Sequence, residues 1–229
     1  EELLREFQDM EEMRQRKLHG GFKDLKLRNI EPLTDTQKQV FEEYNINNNF
    51  VLYGCAGTGK TFLSMYLALK EILVDKKYQR LIIIRSAVES RSVGFLPGTL
   101  EEKIDVYKSP YIDLCSDLFG ISDAYKKLEE RGIIEFVSSS YLRGLTLNSS
   151  IVLVDEFQND GFGELDTIIT RIGINSKIIF SGDFEQSDLQ KEKEKKEAYD
   201  FVKILNKMSE FRFIHFSTDD IVRSGLVKS

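Results

Sequence analysis

The chain has 229 residues, 41% hydrophobic and 31% charged, with a formal net charge of −6 at pH 7 and two cysteines. That size and balance suit one or two globular domains with a substantial core, and they argue against a simple, salt-driven nucleic-acid binder, although a local basic channel stays compatible. No apolar run approaches the ~20 residues of a membrane span and no signal peptide is legible. With Cys55 and Cys115 as the two cysteines, a reduced, cytoplasmic setting is expected.

Taken in order, residues 1–19 carry Leu3, Leu4, Phe7, Met10 and Met13 at near-helical spacing, which predicts a peripheral amphipathic helix broken by Gly20-Gly21. Residues 22–33 read as a linker or an edge strand, so 1–33 stand apart from a single domain over 34–229. Thr34 caps a helix reaching about Tyr44. Within it Gln37 precedes the first nucleotide-binding strand, and its amide, both donor and acceptor, suits pairing with adenine.

Residues 50–69 organise the rest. A short apolar strand turns through Gly54-Cys55-Ala56-Gly57-Thr58-Gly59-Lys60-Thr61 into a helix that begins with Phe62. This is the G-x-x-x-x-G-K-T spacing in strand–loop–helix context. Glycines allow backbone N–H groups to close around an anion, and the helix adds its positive end. Lys60 reaches β- and γ-phosphates, and Thr61 offers Oγ to Mg²⁺. Gln37 and the run from Gly54 to Phe62 are therefore the expected nucleotide-binding residues.

Residues 81–85 predict a buried parallel strand, followed by a loop to Gly98. Residues 99–131 predict a helical insertion, broken near Ser109-Pro110 and at Gly120, on the carboxyl edge of the sheet. Further strands are expected at 133–137, 151–156, 177–183 and 211–216. Helices are expected at 165–172 and 198–208, with the charged run 191–197 a solvated loop or a helix start. The alternation is that of an α/β sandwich with a mostly parallel sheet. The stretch IVLVDE delivers Asp155 and Glu156 to the carboxyl edge. Asp155 would hold Mg²⁺, and Glu156 would orient or deprotonate attacking water. Ser181-Gly182-Asp183 supplies a third edge, and Gln186 beyond it would sense the γ-phosphate. Arg85, Arg143, Arg171 and Arg223 remain as candidates for countering transition-state charge.

The segments GCAGTGKT, RSAVES, VGFLPG, EEKID, YLRGLTLN, IVLVDEFQN, TRIGINSKIIFSGDFEQSDL and DDIVRSGLV, in this order, resemble the PhoH-like ATPases, P-loop proteins akin to superfamily-one helicases. The likeness covers about residues 34–228. It implies a RecA-like fold, ATP hydrolysis with Mg²⁺, linkage to single-stranded RNA or DNA in a helicase-like role, and a homo-oligomeric ring such as a hexamer. It implies phosphate and metal roles for Lys60 and Thr61, metal and water roles for Asp155 and Glu156, and a γ-phosphate role for Gln186. Gln37 falls at the base, Arg143 and Arg171 are motif arginines, and Arg223 lies near a subunit boundary. Cys55 replaces a usual proline, Ser86 replaces the proline of an Arg-Pro pair, Ser90-Arg91-Ser92-Val93 replaces a Gly-Glu loop, and Leu145 replaces an arginine. Phe157 alters the Asp-Glu-Ala-Gln form. These departures spare the ATP site, alter the outer loops, and suggest a divergent, phage-type member. The competing function is a nucleotide-switched interaction protein that assembles without unwinding. A small-molecule kinase fits less well, because the acidic pair and Gln186 are suited to water rather than to an acceptor hydroxyl.

Overall fold

The computed structural model describes residues 24–46, 49–86, 100–139, 142, 144–184 and 192–222. The expected amphipathic helix at 1–19, the loop 87–99, Arg143, Gln186 and Arg223 lie outside them. The elements are α1 (Asp35–Tyr44), β1 (Asn49–Gly54), α2 (Lys60–Leu73), β2 (Arg80–Arg85), α3 (Leu100–Phe119), α4 (Ala124–Glu130), β3 (Ile134–Ser138), β4 (Ser150–Asp155), α5 (Phe162–Arg171), β5 (Lys177–Gly182), α6 (Glu192–Leu205) and β6 (Phe211–Phe216). The six strands form one sheet in the order β3-β2-β4-β5-β1-β6, and every pairing is parallel. The mostly parallel α/β sandwich expected of a RecA-like P-loop protein is therefore present, without an antiparallel strand among the described residues.

The apolar strand runs explain the layers. Side chains alternate between faces, and strands buried on both faces read as continuous hydrophobic stretches. Phe50, Leu52, Leu81, Ile83, Leu153 and Ile179 pack with α2, α3 and α4 on one side. Val51, Ile82, Ile84, Val152, Val154, Ile178 and Phe180 pack with α5 and α6 on the other. A buried ion pair ties the start of β5 to the first of these layers. Lys177 Nζ meets Glu71 Oε2 at 3.0 Å, donates to the Tyr44 carbonyl at 3.3 Å and lies 3.7 Å from the centre of the Tyr44 ring. Burial lowers the Lys177 pKa and Glu71 opposes it.

Of the linker and the edge strand both open for residues 22–33, the described part, 24–33, is the linker; it lies across the helices, with Arg28 N donating to Leu118 O and Ile30 N to the Tyr66 hydroxyl. One expectation needs correction: helix α3 does not break at Ser109-Pro110 but runs through Pro110. Proline in a helix removes the bond to the carbonyl four residues back, here that of Val106. Both residues lie on the exposed, cavity-lining side of α3, where water can take the lost donor's place. Gly120, with φ +72°, does end the helix. Helices α3 and α4 form the crossover from β2 to β3, and Tyr111, Cys115, Leu118, Ala124 and Leu128 share the core of α2. Among the described residues no helix is long and apolar enough to cross a membrane.

Candidate nucleotide site

The sheet order brings the carboxyl ends of β1, β4 and β5 together, the place where open α/β sheets gather ligands. Register fixes the details. Arg85 pairs with Asp155 across β2 and β4, Asp155 with Ser181 across β4 and β5, and Tyr53 with Gly182 across β1 and β5. Above these ends lies a cavity of about 1050 Å³. Ala56, Gly57, Gly59, Lys60, Thr61 and Phe62 line one flank, and Arg85, Asp155, Glu156 and Asp183 another.

The phosphate loop is braced from three sides. Gly54 has φ +119°, and a Cβ there would stand 2.0 Å from the Phe216 carbonyl oxygen. Only glycine admits that approach, which lets Cys55 N donate to Phe216 O at 3.0 Å. Val222 N returns from the end of the chain to donate to Gly57 O at 3.1 Å. From the third side Gln37 Nε2 donates to Thr58 O at 2.9 Å, while its Oε1 accepts from Leu33 N at 2.8 Å. Gln37 is 3% exposed; it lines the cavity, and its amide holds the loop. Thr58 is fully buried, and its hydroxyl donates to Cys55 O, so its side chain supports the turn. Gly59, with φ +86°, precedes α2, and the free N–H groups of that helix's first turn face the cavity as an anion site.

Lys60 Nζ donates to the carbonyls of Gly54 and Cys55, each at 2.7 Å. Burial lowers its pKa, against the pull of Asp183, Glu156 and Asp155. A cation held by two weak acceptors beside three carboxylates is well placed to move onto phosphate oxygens. Thr61 Oγ1 donates to Asp155 Oδ1 at 2.8 Å and lies 3.4 Å from Ser181 Oγ. A hydroxyl and a carboxylate at one spot are the hard oxygen donors Mg²⁺ prefers, so the residues present fit that metal. The second Asp155 oxygen accepts from the buried Tyr111 hydroxyl at 2.9 Å.

Glu156 leaves the strand in the left-handed conformation, φ +54°, which turns its side chain away from the line of β4. Gln158 Nε2 donates to its Oε2 at 2.6 Å. The Gln158 Oε1 accepts from Asp183 N at 3.0 Å, and a Cβ at Gly182 would stand 2.2 Å from that same oxygen. Gln158 thus links the two acidic strand ends and sets the Glu156 carboxylate. Burial, then the Asp155 charge, raise the Glu156 pKa while Gln158, Arg85 and Lys60 lower it. A carboxylate with a raised pKa at a cavity wall is a suitable proton acceptor.

Behind this pair sits Asp160, fully buried. Neither of its oxygens has a hydrogen-bond partner among the described residues. The Ser139 and Ser86 hydroxyls lie near enough to favour its charged form but not in hydrogen-bonding geometry, and burial pushes its pKa up to about 7.

Of the residues the sequence singles out, the fold brings Gly57, Gly59, Lys60, Thr61, Asp155 and Glu156 to one cavity. Sequence reasoning missed Tyr111 and Gln158. Gln158 belongs to the quoted IVLVDEFQN stretch, so its presence was visible but its bond to β5 was not. No signal marks Tyr111, whose partner is 44 residues away. Arg171 does not join the site. Its carbonyl accepts from Leu147 N, ahead of β4, which puts it at the amino ends of the strands.

A profile described as PhoH-like protein matches residues 29–229. The chain is 40% identical over 161 residues to the PhoH-like protein of Mycobacterium leprae, covering 70% of this chain and 46% of that one. It is 39% identical over 170 residues to the PhoH-like protein of Bacillus subtilis, covering 74% and 53%. The chain thus spans about half the length of these curated relatives. Among solved structures, the DUF1998 helicase MrfA bound to DNA overlaps 80% of this chain and 26% of its own, at 14% identity and a TM-score of 0.47.

Proposed function

Because this chain belongs to the PhoH-like protein family, we propose that it is a cytoplasmic, Mg²⁺-dependent ATPase that couples hydrolysis to gripping or remodelling single-stranded nucleic acid. The observation that carries the reading is the convergence of Lys60, the Thr61–Asp155 pair and Glu156 on one cavity. The triphosphate lies along the loop, with N–H groups of α2's first turn and Lys60 on its oxygens. Magnesium supplies the charge that offsets the β,γ oxygens when bound, and Thr61 and Asp155 are the residues that would hold it. Glu156, set by Gln158, takes the proton of the attacking water. Gln37 supports the loop from the base side.

One core offers these groups on one side of the γ-phosphate. The donor on the far side would come from a neighbouring subunit in a closed ring, a hexamer by the family likeness. Arg223 is the first candidate and Arg171 the second, since within one protomer Arg171 stands at the wrong end of the sheet. Gln186 would report loss of the γ-phosphate. The deciding experiment is Glu156→Gln, which removes the proton acceptor and keeps the shape. ATP binding should persist while turnover falls at least 100-fold. Turnover equal to wild type would remove Glu156 from the role. Hydrolysis unmoved by single-stranded RNA or DNA would favour a nucleotide-switched assembly protein instead.

A further inference from the structure

The crossover helix α3 is placed to act on the metal side of the site, an inference that rests on the ATPase reading above. Its residues Val106, Ser109, Pro110, Asp113, Leu114 and Asp117 recur at helical spacing and all line the cavity. The next face carries Tyr111, Cys115 and Leu118 into the core. Tyr111 is fully buried, with its ring 5.8 Å from that of Phe136 on β3, so the ring cannot swing freely. Its hydroxyl ends on Asp155 Oδ2 at 2.9 Å, opposite the Oδ1 that takes the Thr61 proton at 2.8 Å.

Both carboxylate oxygens are thereby fixed, one by the phosphate-loop helix and one by α3. We infer that Tyr111 is a positioning residue for the metal: it holds the Asp155 carboxylate in the rotamer that presents Oδ1 toward Thr61. Without the hydroxyl, a carboxylate with one bond can rotate and lose the alignment of the two donors. Groups that orient a metal-holding ligand in this way cost 10- to 100-fold in metal affinity when removed.

The test is Tyr111→Phe, which deletes one oxygen and keeps the ring. Binding of a fluorescent ATP analogue is measured in EDTA and then across a Mg²⁺ titration. Metal-free affinity should stay within about twofold of wild type, while the Mg²⁺ concentration needed for half-maximal change rises about tenfold or more. Turnover should recover toward wild type in excess Mg²⁺, which a loss of folding would not do. Tyr111→Met, also without a hydroxyl, replaces the phenylalanine variant if that one does not fold. An unchanged Mg²⁺ midpoint, or weakened metal-free binding with no rescue by Mg²⁺, would overturn the inference. Wild-type protein with no Mg²⁺-dependent ATP turnover would instead overturn the ATPase reading itself.

Discussion

Replacing Asp160 by asparagine should stabilise the protein, and by an amount that depends on pH. The carboxyl is buried without a hydrogen-bond partner among the described residues, and burial takes its pKa from 3.8 to about 7. The folded state therefore holds this proton more tightly than the unfolded chain. Its contribution to stability is fully present below about pH 4 and is lost as pH rises to about 7, then stays level. The interval between 3.8 and about 7 corresponds to about 4 kcal/mol at pH 8 and about 2 kcal/mol at pH 5, as a ceiling, since water entry relieves part of the penalty. Asparagine stands in for the neutral acid, with the same shape and no charge. At about 2–4 °C per kcal/mol for a chain of this size, the gain in Tm at pH 8 should approach about 8–16 °C and should roughly halve at pH 5. Thermal melts of both proteins across pH 5–8 measure it. Equal Tm differences at the two pH values, or a less stable variant at pH 8, would refute the assignment of a charged, unpartnered Asp160.

Other substitutions probe separate parts. Lys177→Met leaves the buried Glu71 with Lys77 Nζ, at 3.2 Å, as its remaining cation, so urea stability should fall by less than the about 3–5 kcal/mol of a fully unpaired buried charge, with part of the loss regained by adding Glu71→Leu. Gly54→Ala places a methyl 2.0 Å from the Phe216 carbonyl oxygen; it should abolish nucleotide binding and lower Tm, whereas Gly132→Ala, with open space around its Cβ, should cost only about 1 kcal/mol of backbone strain. Lys60→Ala should reduce ATP affinity at least 10-fold by isothermal titration while leaving the fold intact, because it removes a charge-assisted contact to phosphate.

What could be read from the sequence was local. The G-x-x-x-x-G-K-T spacing and the apolar run ending in Asp155 and Glu156 each state their own geometry, so loop, strands and acidic pair were legible. The helix over 35–44 was equally so, since Thr34 accepts from Gln37 N as a cap should. Pro110 misled because the rule against interior proline is a rule about cost, and an exposed helix face lowers that cost. Tyr111, Gln158 and the second role of Gln37 were not legible, because each is defined by a partner brought close only by the sheet order. Nothing in the sequence marks Asp160, because its burial is set by the fold and not by its neighbours in the chain.

The brace of the phosphate loop by Phe216 and Val222 has a consequence for how the chain is made. Of the six described strands β1 is synthesised first, yet its two neighbours in the sheet, β5 and β6, are synthesised last. Until residues 177–182 emerge β1 has no edge to pair with, and until Phe216 follows the loop has no carbonyl to receive Cys55 N. Parallel pairing across such sequence distances is slow, and an exposed apolar strand invites association. The part of the chain that is translated early is thus completed late, so a nascent or truncated chain has a signature for ATP but no site with which to bind it.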